Sequence, residues 1–324
     1  MKAAVIKRFG GPEVFEIETR PDLIPSNDEV LIEVKAAGIN RPDVFQRRGN
    51  YPAPKGTDPD IPGLEIAGII IAIGSEVKRL KVGDQVMALV AGGGYATQAL
   101  VSERICLVKP KNISFEQAAA IPETVYTVWN NLFQRGNLKR GEHVLIHGGT
   151  GGVGTIAIQL ANIFGAITYT TVGSKEKMEI ARNLGADIAI NYKTDDFSVV
   201  LKDKRVDVIL DSIAGDYFNK NLDILNEDGR LIYINAVQGQ SVELNILKLM
   251  QKRIILTGST LRARDLTFKS NLTSEIETNI LPLIEQGKLR PIISKIFPLE
   301  MVSQAHTYFE TPDQYGKIVL AMGS

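Results

Sequence analysis

The sequence predicts a two-domain α/β protein, in which a doubly wound parallel sheet in mid-chain accompanies an irregular, mostly antiparallel β-rich domain. Three observations carry this. From Met1 to about Ile121, short apolar strands alternate with glycine and proline punctuation. From Tyr126 the pattern changes to apolar strands separated by helical periods. Between residues 143 and 164 a strand, a glycine-rich loop and an amphipathic run follow one another directly.

In the first region strands are expected at Ala3–Ile6, Val30–Ala36, Gly68–Ile73, Gln85–Leu89 and Ala96–Val101. In the second, apolar strands are expected near 143–147, 167–172, 188–191, 206–210, 229–235 and 254–258, with helices between them. Beyond Ser259 the pattern predicts a helix over about Ser274–Gln286, an extended stretch Ile292–Phe297, a helix from near Glu300 and a last strand Lys317–Met322. Six strands complete a doubly wound sheet, so this tail is expected to return to the first domain. The domains are then 1–122 with 265–324, and 123–264.

Composition excludes several classes. Lys plus Arg equal Asp plus Glu at 37 each, so no overall basic field points to nucleic acid as the main partner. The first eight residues turn polar before a signal-peptide core develops, and the longest apolar run, Ile66–Gly74, falls far short of the ~20 residues that span a bilayer. A cytoplasmic protein without a membrane span is expected. The single cysteine, Cys106, precludes an internal disulfide, and His143, His147 and His306 lack metal-ligand spacing.

The glycine loop is the first chemical signal. After His143-Val144-Leu145-Ile146-His147, residues Gly149, Gly151 and Gly154 stand at G-x-G-x-x-G spacing, with Thr150, Gly152 and Val153 between them. Such a loop turns sharply, lets bare backbone approach a pyrophosphate, and aims helix N-terminal N–H groups at it. The strand before and the helix after supply the context that a dinucleotide site needs. The next strand selects the dinucleotide. It ends in Gly173-Ser174-Lys175, about 20 residues past the last loop glycine, where an NAD site usually places a carboxylate for the ribose diol. Here a 2′-phosphate would meet the Ser174 hydroxyl and the ammonium groups of Lys175 and Lys177. NADPH is therefore the expected cofactor, with Glu176 between the lysines weakening the positive field.

Further motifs carry a family resemblance over essentially the whole chain. They are Asn40-Arg41-x-Asp43, Gln46-Arg47, Gly49-x-Tyr51, Gly63-Leu64-Glu65, Val82-Gly83-Asp84, Gly92-Gly93-Gly94, Ala118-Ala119-Ala120-Ile121-Pro122-Glu123 and Gly316-Lys317-Ile318-Val319-Leu320. In this set the chain resembles the zinc-free quinone oxidoreductases of the medium-chain dehydrogenase/reductase superfamily, and among them the p53-inducible branch. The resemblance implies a GroES-like catalytic domain plus a Rossmann domain, with the nicotinamide in the cleft between them. It also implies that no metal is bound. Zinc-dependent relatives place a cysteine where this chain has Asn40 and Gly-His-Glu where it has Gly63-Leu64-Glu65, and their structural zinc lobe has no counterpart before Gly92. A substrate that accepts hydride without a Lewis acid, such as a quinone, is expected.

The resemblance assigns roles that the residues alone leave open. Asn40 reads by itself as a turn residue, whereas the family places its amide on the substrate oxygen. Tyr51 is either a loop aromatic or, as in relatives, directed at nicotinamide and substrate. Thr127 is an ordinary first-turn threonine or a nicotinamide contact. Tyr192 is a surface aromatic or borders the adenosine phosphate. Asn235-Ala236-Val237 lie at the carboxyl end of a parallel strand, where ligands collect. Lys317 either reaches a cofactor phosphate or is solvated. Glu65 and Asp84 are expected to be structural rather than an acid–base pair, because water can protonate the product.

The expected activity is NADPH-dependent reduction of a quinone. The alternatives are reduction of activated alkenes (enals, enones or enoyl thioesters) and a non-enzymatic structural or RNA-associated role. The strand ending the parallel sheet, Arg253–Gly258, should present an apolar edge through which a homodimer forms.

Overall fold

The computed structural model describes residues 1–323. The chain divides into two compact units, Met1–Tyr126 with Leu261–Ser324, and Thr127–Thr260. The division falls inside the helix Pro122–Val128.

In the first unit the strand Glu29–Gly38 is the organiser. It pairs antiparallel with Lys317–Ala321 on one side and Glu65–Ile73 on the other, and its first half also pairs with Gln98–Ser102. Gln85–Leu89 and Cys106–Val108 continue the sheet beyond Glu65–Ile73, and Ile293–Pro298 lies parallel to Lys317–Ala321 at the other edge. The tail of the chain thus supplies two of the sheet's strands. Val30, Ile32, Ile66, Ile70, Ile318 and Leu320 form its core. A hairpin of Lys2–Ile6 and Phe15–Thr19 adds Ala3 and Val5 to that core.

The second unit is a sheet of six parallel strands. In spatial order they are Ile188–Asn191, Ile167–Val172, His143–His147, Val208–Asp211, Arg230–Tyr233 and Ile255–Gly258, the third, second, first, fourth, fifth and sixth in sequence. That order is the Rossmann arrangement, whose switch point lies between His143–His147 and Val208–Asp211. Such strands are covered on both faces, which is why Val144–Ile146 and Val208–Leu210 read as uninterrupted apolar runs and are buried.

The tail differs from expectation in one helix. Instead of Ser274–Gln286, two helices run Leu266–Asn279 and Leu281–Glu285. Asp265 caps the first by accepting from the Phe268 N–H at 2.8 Å, and Pro282, with no N–H to donate, forces a new start after Ile280. Strands Phe15–Thr19 and Cys106–Val108 were not expected. The first leaves Glu16, Ile17 and Glu18 wholly or partly exposed, and the second has only three residues, so neither leaves a hydrophobic period to read. The expected Ala96–Val101 strand begins at Gln98, with Ala96 making an isolated bridge to Ala3.

Candidate active site

The glycine loop of the second unit has the geometry its spacing implies. Gly148 adopts φ +76, and the Gly148 and Gly149 N–H groups both donate to Thr171 O at 3.1 Å, closing the turn against the neighbouring strand. A β-carbon on Gly149 would lie 1.9 Å from Thr170 Oγ1, and one on Gly154 would lie 2.3 Å from Gly148 O, so both glycines are required by close packing. Gly151 differs, because a β-carbon there would meet only Gly148 O at 3.4 Å and its backbone is extended at φ −71. Gly151 caps the helix that follows, and its bareness is not required by close packing and leaves room for a ligand. The helix Gly152–Ile163 starts here, and its first i→i−4 bond is Thr155 N–H to Gly151 O, so the N–H groups of Gly152, Val153 and Gly154 precede the helical ladder. These features fit a bound pyrophosphate.

Beneath the loop, His147 is structural. Its Nε2 donates to Asn221 Oδ1 at 2.8 Å, Asn221 Nδ2 donates to Asp211 Oδ2 at 2.9 Å, and Nδ1 accepts from the Thr171 hydroxyl at 3.0 Å. Burial pushes its pKa down, so the ring is neutral. Asp211 Oδ1 also accepts from the Ile213 and Ala214 N–H groups, and this holds Ala214 at φ +60 in the next strand-end loop.

At the end of Ile167–Val172, Gly173 lies against Tyr192, whose hydroxyl would be 2.8 Å from a β-carbon at that position. Tyr192 is half exposed. Ser174 caps the helix Lys175–Asn183 by accepting from the Lys177 N–H at 3.2 Å, and its hydroxyl also serves Glu176, whose pKa is lowered by its own backbone N–H and then by Ser174. No Asp or Glu stands at 173–175. Asn235, Ala236 and Val237 follow the fifth strand, with Asn235 Oδ1 accepting from the Ala236 N–H at 2.8 Å and Val237 exposed.

In the first unit the expected residues come together differently. Lys317 neither reaches outward to a phosphate nor is solvated. It is 3% exposed, and its ammonium donates to Ile39 O at 3.0 Å and Asn40 Oδ1 at 2.6 Å and pairs with Glu65 Oε1 at 2.5 Å. With all three protons used, it has none for a cofactor. Asn40 is likewise committed inward. Its Nδ2 donates to Glu65 Oε1 at 2.9 Å and approaches Gly38 O at 3.3 Å, so the amide expected on a substrate oxygen is engaged within the protein. The second oxygen of Glu65 accepts from the Glu123 N–H at 3.0 Å. Glu65 is therefore a structural hub, as expected, and Asp84 closes a turn by accepting from the Lys81 N–H.

Asn40 also starts the helix Arg41–Arg47, where its N–H donates to Asp43 Oδ2 at 2.7 Å. Asp43 accepts further from Tyr95 Oη at 2.9 Å and the Gly63 N–H at 3.2 Å, yet burial dominates and pushes its pKa up to about 6. Tyr95 Oη lies 3.2 Å from Nε2 of His306, whose pKa burial and Arg47 push down to about 3. Glu123, partly exposed, is pushed up to about 8 by burial and then by Glu65. Tyr51 is partly buried, with the Arg262 guanidinium 5.3 Å from its ring centroid. No motif had marked Arg262, which reaches this cluster from a separate segment of the chain, and the motif that contains Glu123 gave no sign of its environment.

A Rossmann sheet with an open glycine cradle, in one chain with a mainly antiparallel domain completed by the chain's tail, defines the class as medium-chain dehydrogenase/reductase. Comparison with known proteins narrows it. Residues 26–111 match the alcohol dehydrogenase GroES-like domain family, and residues 184–320 match the zinc-binding dehydrogenase family. Quinone oxidoreductase of Sus scrofa is 32% identical, over 99% of this chain and 98% of that protein. The chloroplastic NADPH-dependent alkenal/one oxidoreductase of Arabidopsis thaliana is also 32% identical, over 99% of this chain and 79% of that protein. Quinone oxidoreductase of Escherichia coli, solved in complex with NADPH, superposes with a TM-score of 0.88 at 30% identity, covering 99% of this chain and all of that one. The chain belongs to the quinone oxidoreductase family of the medium-chain dehydrogenases/reductases. Despite the zinc-binding name of one matching family, no group of three or more His, Cys, Asp or Glu side chains among the described residues is arranged to hold a metal.

Proposed function

We infer that the protein is an NADPH-dependent quinone reductase acting without a metal. The observation that carries this is Gly151, whose missing side chain leaves open space at the helix N-terminus, in a loop followed at the next strand end by Gly173, Ser174 and Lys177 with no carboxylate at 173–175. The backbone of Gly149–Gly154, including Thr150, Gly152 and Val153, holds the pyrophosphate on the helix N-terminus. Ser174, Lys177 and Tyr192 around Gly173 hold the 2′-phosphate, with Lys177 supplying the charge. Thr127 and the backbone of Asn235, Ala236 and Val237 border the nicotinamide.

When bound, NADPH supplies the hydride. The chain's own contribution is positioning, which reduces the barrier by holding reactants at near-attack geometry. Tyr51 orients the acceptor oxygen, while Asn40 acts indirectly, tying Glu65 and Lys317 to the start of Arg41–Arg47. Water protonates the product oxygen.

Turnover of NADPH and NADH with a panel of quinones and enones tests the reading. NADPH-dependent quinone reduction is expected, with Lys177→Ala weakening NADPH binding about tenfold and leaving NADH unchanged. Equal use of both cofactors by the unmodified protein would refute the 2′-phosphate assignment. The enone arm is included because the Arabidopsis relative, named for alkenal/one reduction, is as similar as the quinone oxidoreductases.

The sheet edge supports a homodimer. Ile255–Gly258 ends the six-stranded sheet, Ile255 is 55% exposed, and Ile246, Leu247 and Met250 of the preceding helix are exposed too. Pairing of two such edges would satisfy their free N–H and C=O groups symmetrically. Ile255→Lys, which keeps the Ile255 N–H bonded inward to Gly229 O at 2.9 Å and places a charge on the edge, should weaken a dimer seen by sedimentation at micromolar concentration, and a native monomer would refute it. No helix among the described residues is long and apolar enough to cross a membrane. The cytoplasm is the proposed compartment, supported by a single cysteine that is buried and unpaired, and cell fractionation tests it.

A further inference from the structure

Arg262 lies in the short connection before the helix Leu266–Asn279, in a stretch of sequence with no motif, and it is only 6% exposed. Its guanidinium meets three separate segments. Nε donates to Ala91 O at 2.6 Å, in the turn before the three glycines 92–94. One terminal nitrogen donates to Gln46 Oε1 at 2.7 Å, and Gln46 Nε2 in turn donates to Pro59 O at 3.1 Å. The other donates to Tyr51 O at 3.3 Å, while the cationic carbon lies 5.3 Å from the centroid of the Tyr51 ring. A β-carbon on Gly92 would meet Thr57 Cγ2 at 2.5 Å and the same guanidinium at 3.3 Å, so the glycine turn packs against both.

Every hydrogen-bond acceptor of this buried cation is neutral. Among the described residues Arg262 has no carboxylate within ion-pair distance, and neither has Lys269, whose ammonium is 8% exposed and donates to Arg262 O at 2.8 Å. Burial pushes the pKa of both cations down, which marks the cost of holding them charged there. A neutral side chain could fill this volume more cheaply if packing were the only requirement. What a guanidinium adds is a rigid planar fork that bonds several acceptors at once and attracts an aromatic face. Both properties converge on Tyr51, gripped by backbone and by ring.

We propose that Arg262 is the positioning residue for Tyr51, fixing the plane and depth of the phenol that orients the acceptor. The inference rests on the reading of Tyr51 given under Proposed function. It explains how a tyrosine in the irregular segment between Arg41–Arg47 and Glu65–Ile73 can hold a defined geometry, since the segment has no regular backbone ladder of its own.

The test is a double-mutant cycle of Tyr51→Phe and Arg262→Gln, repeated with Arg262→Lys, in the full-length enzyme with NADPH and 1,4-naphthoquinone. The readouts are kcat/KM for the quinone, the Kd for NADPH and the thermal midpoint. Each single variant is expected to lose about 10- to 100-fold in kcat/KM, the scale of a misplaced contact, with NADPH Kd within about twofold. The double variants should lose no more than the worse single, because Arg262 acts through the Tyr51 hydroxyl. Arg262→Lys should keep the fold without restoring activity, as an ammonium cannot span the three acceptors. It therefore carries the cycle if Arg262→Gln does not fold. Multiplying losses in the double variants, or wild-type kcat/KM in Arg262→Lys, would overturn this inference alone. Wild-type rates in Tyr51→Phe would overturn the reading of Tyr51 and this inference with it.

Discussion

Replacing Lys317 by methionine should unfold the first unit far more readily while leaving cofactor affinity intact. Lys317 and Glu65 are 3% and 0% exposed, and their charged atoms are 2.5 Å apart. At an effective dielectric of about 20 that separation corresponds to roughly 6–7 kcal/mol of attraction, opposed by several kcal/mol of desolvation for each ion. The intact pair is therefore close to neutral for stability. Removing only the lysine is different, because Glu65 remains buried with the Asn40 amide and Glu123 N–H as its donors. The expected loss is about 3–5 kcal/mol, or about 6–20 °C in the unfolding midpoint of a unit this size. Adding Glu65→Gln removes the stranded charge; its one amide oxygen can accept from the Glu123 N–H while its NH2 donates to Asn40 Oδ1, which has lost Lys317, so the double variant should recover at least half of the loss. Urea and thermal unfolding of the two single variants and the double measure this, with NADPH affinity by fluorescence expected within about twofold throughout. A Lys317→Met protein that loses under about 1 kcal/mol but binds NADPH weakly would refute the argument and return the ammonium to a cofactor phosphate.

The glycine loop allows a separation of packing from binding. Gly151→Ala should change stability by no more than about 0.5 kcal/mol and weaken NADPH binding at least about tenfold, whereas Gly154→Ala, driven against Gly148 O, should cost about 1–3 kcal/mol even without ligand. Tight NADPH binding by Gly151→Ala would remove the pyrophosphate from this cradle. Asp43 makes a pH prediction. Its folded pKa, raised from 3.8 to about 6, means that the folded state holds its proton over a range where the unfolded chain has lost it. Its contribution is fully present below pH 4 and is lost as pH rises through 6, about 3 kcal/mol in all, so the stability of Asp43→Asn relative to wild type should improve by that amount between pH 4 and pH 7. Parallel pH profiles in denaturant titrations would count against it. Glu123, pushed up to about 8, behaves with the same sign, and Glu123→Gln should gain on wild type between pH 5 and pH 9.

The parallel sheet and its glycine loop were legible because their causes are local. Strands buried on both faces must be continuously apolar, and a close backbone approach needs glycine at fixed spacing, so Val144–Ile146 and Gly149–Gly154 announce themselves within twenty residues of chain. The absence of a carboxylate after Val172 is legible for the same reason. The first unit is assembled from distant segments, and there sequence reasoning reached most of the strands, the return of the tail and the family motifs, but not which side chains meet. Lys317 stands where a strand approach could point a lysine outward, and only the pairing of Lys317–Ala321 with Glu29–Gly38 buries it beside Asn40 and Glu65. Asn40 is in the expected place, but whether its amide is free for a substrate depends on a carboxylate 25 residues away. Arg262 has no local signature at all, because what defines it is the meeting of residues 46, 51 and 91 around one guanidinium. Sequence by itself thus determined the backbone features whose energetics are settled within one strand, turn or helix. Which polar side chains are spent inside the protein and which stay available to a ligand was decided by tertiary structure, because buried hydrogen-bond and charge satisfaction is a property of groups brought together from across the chain.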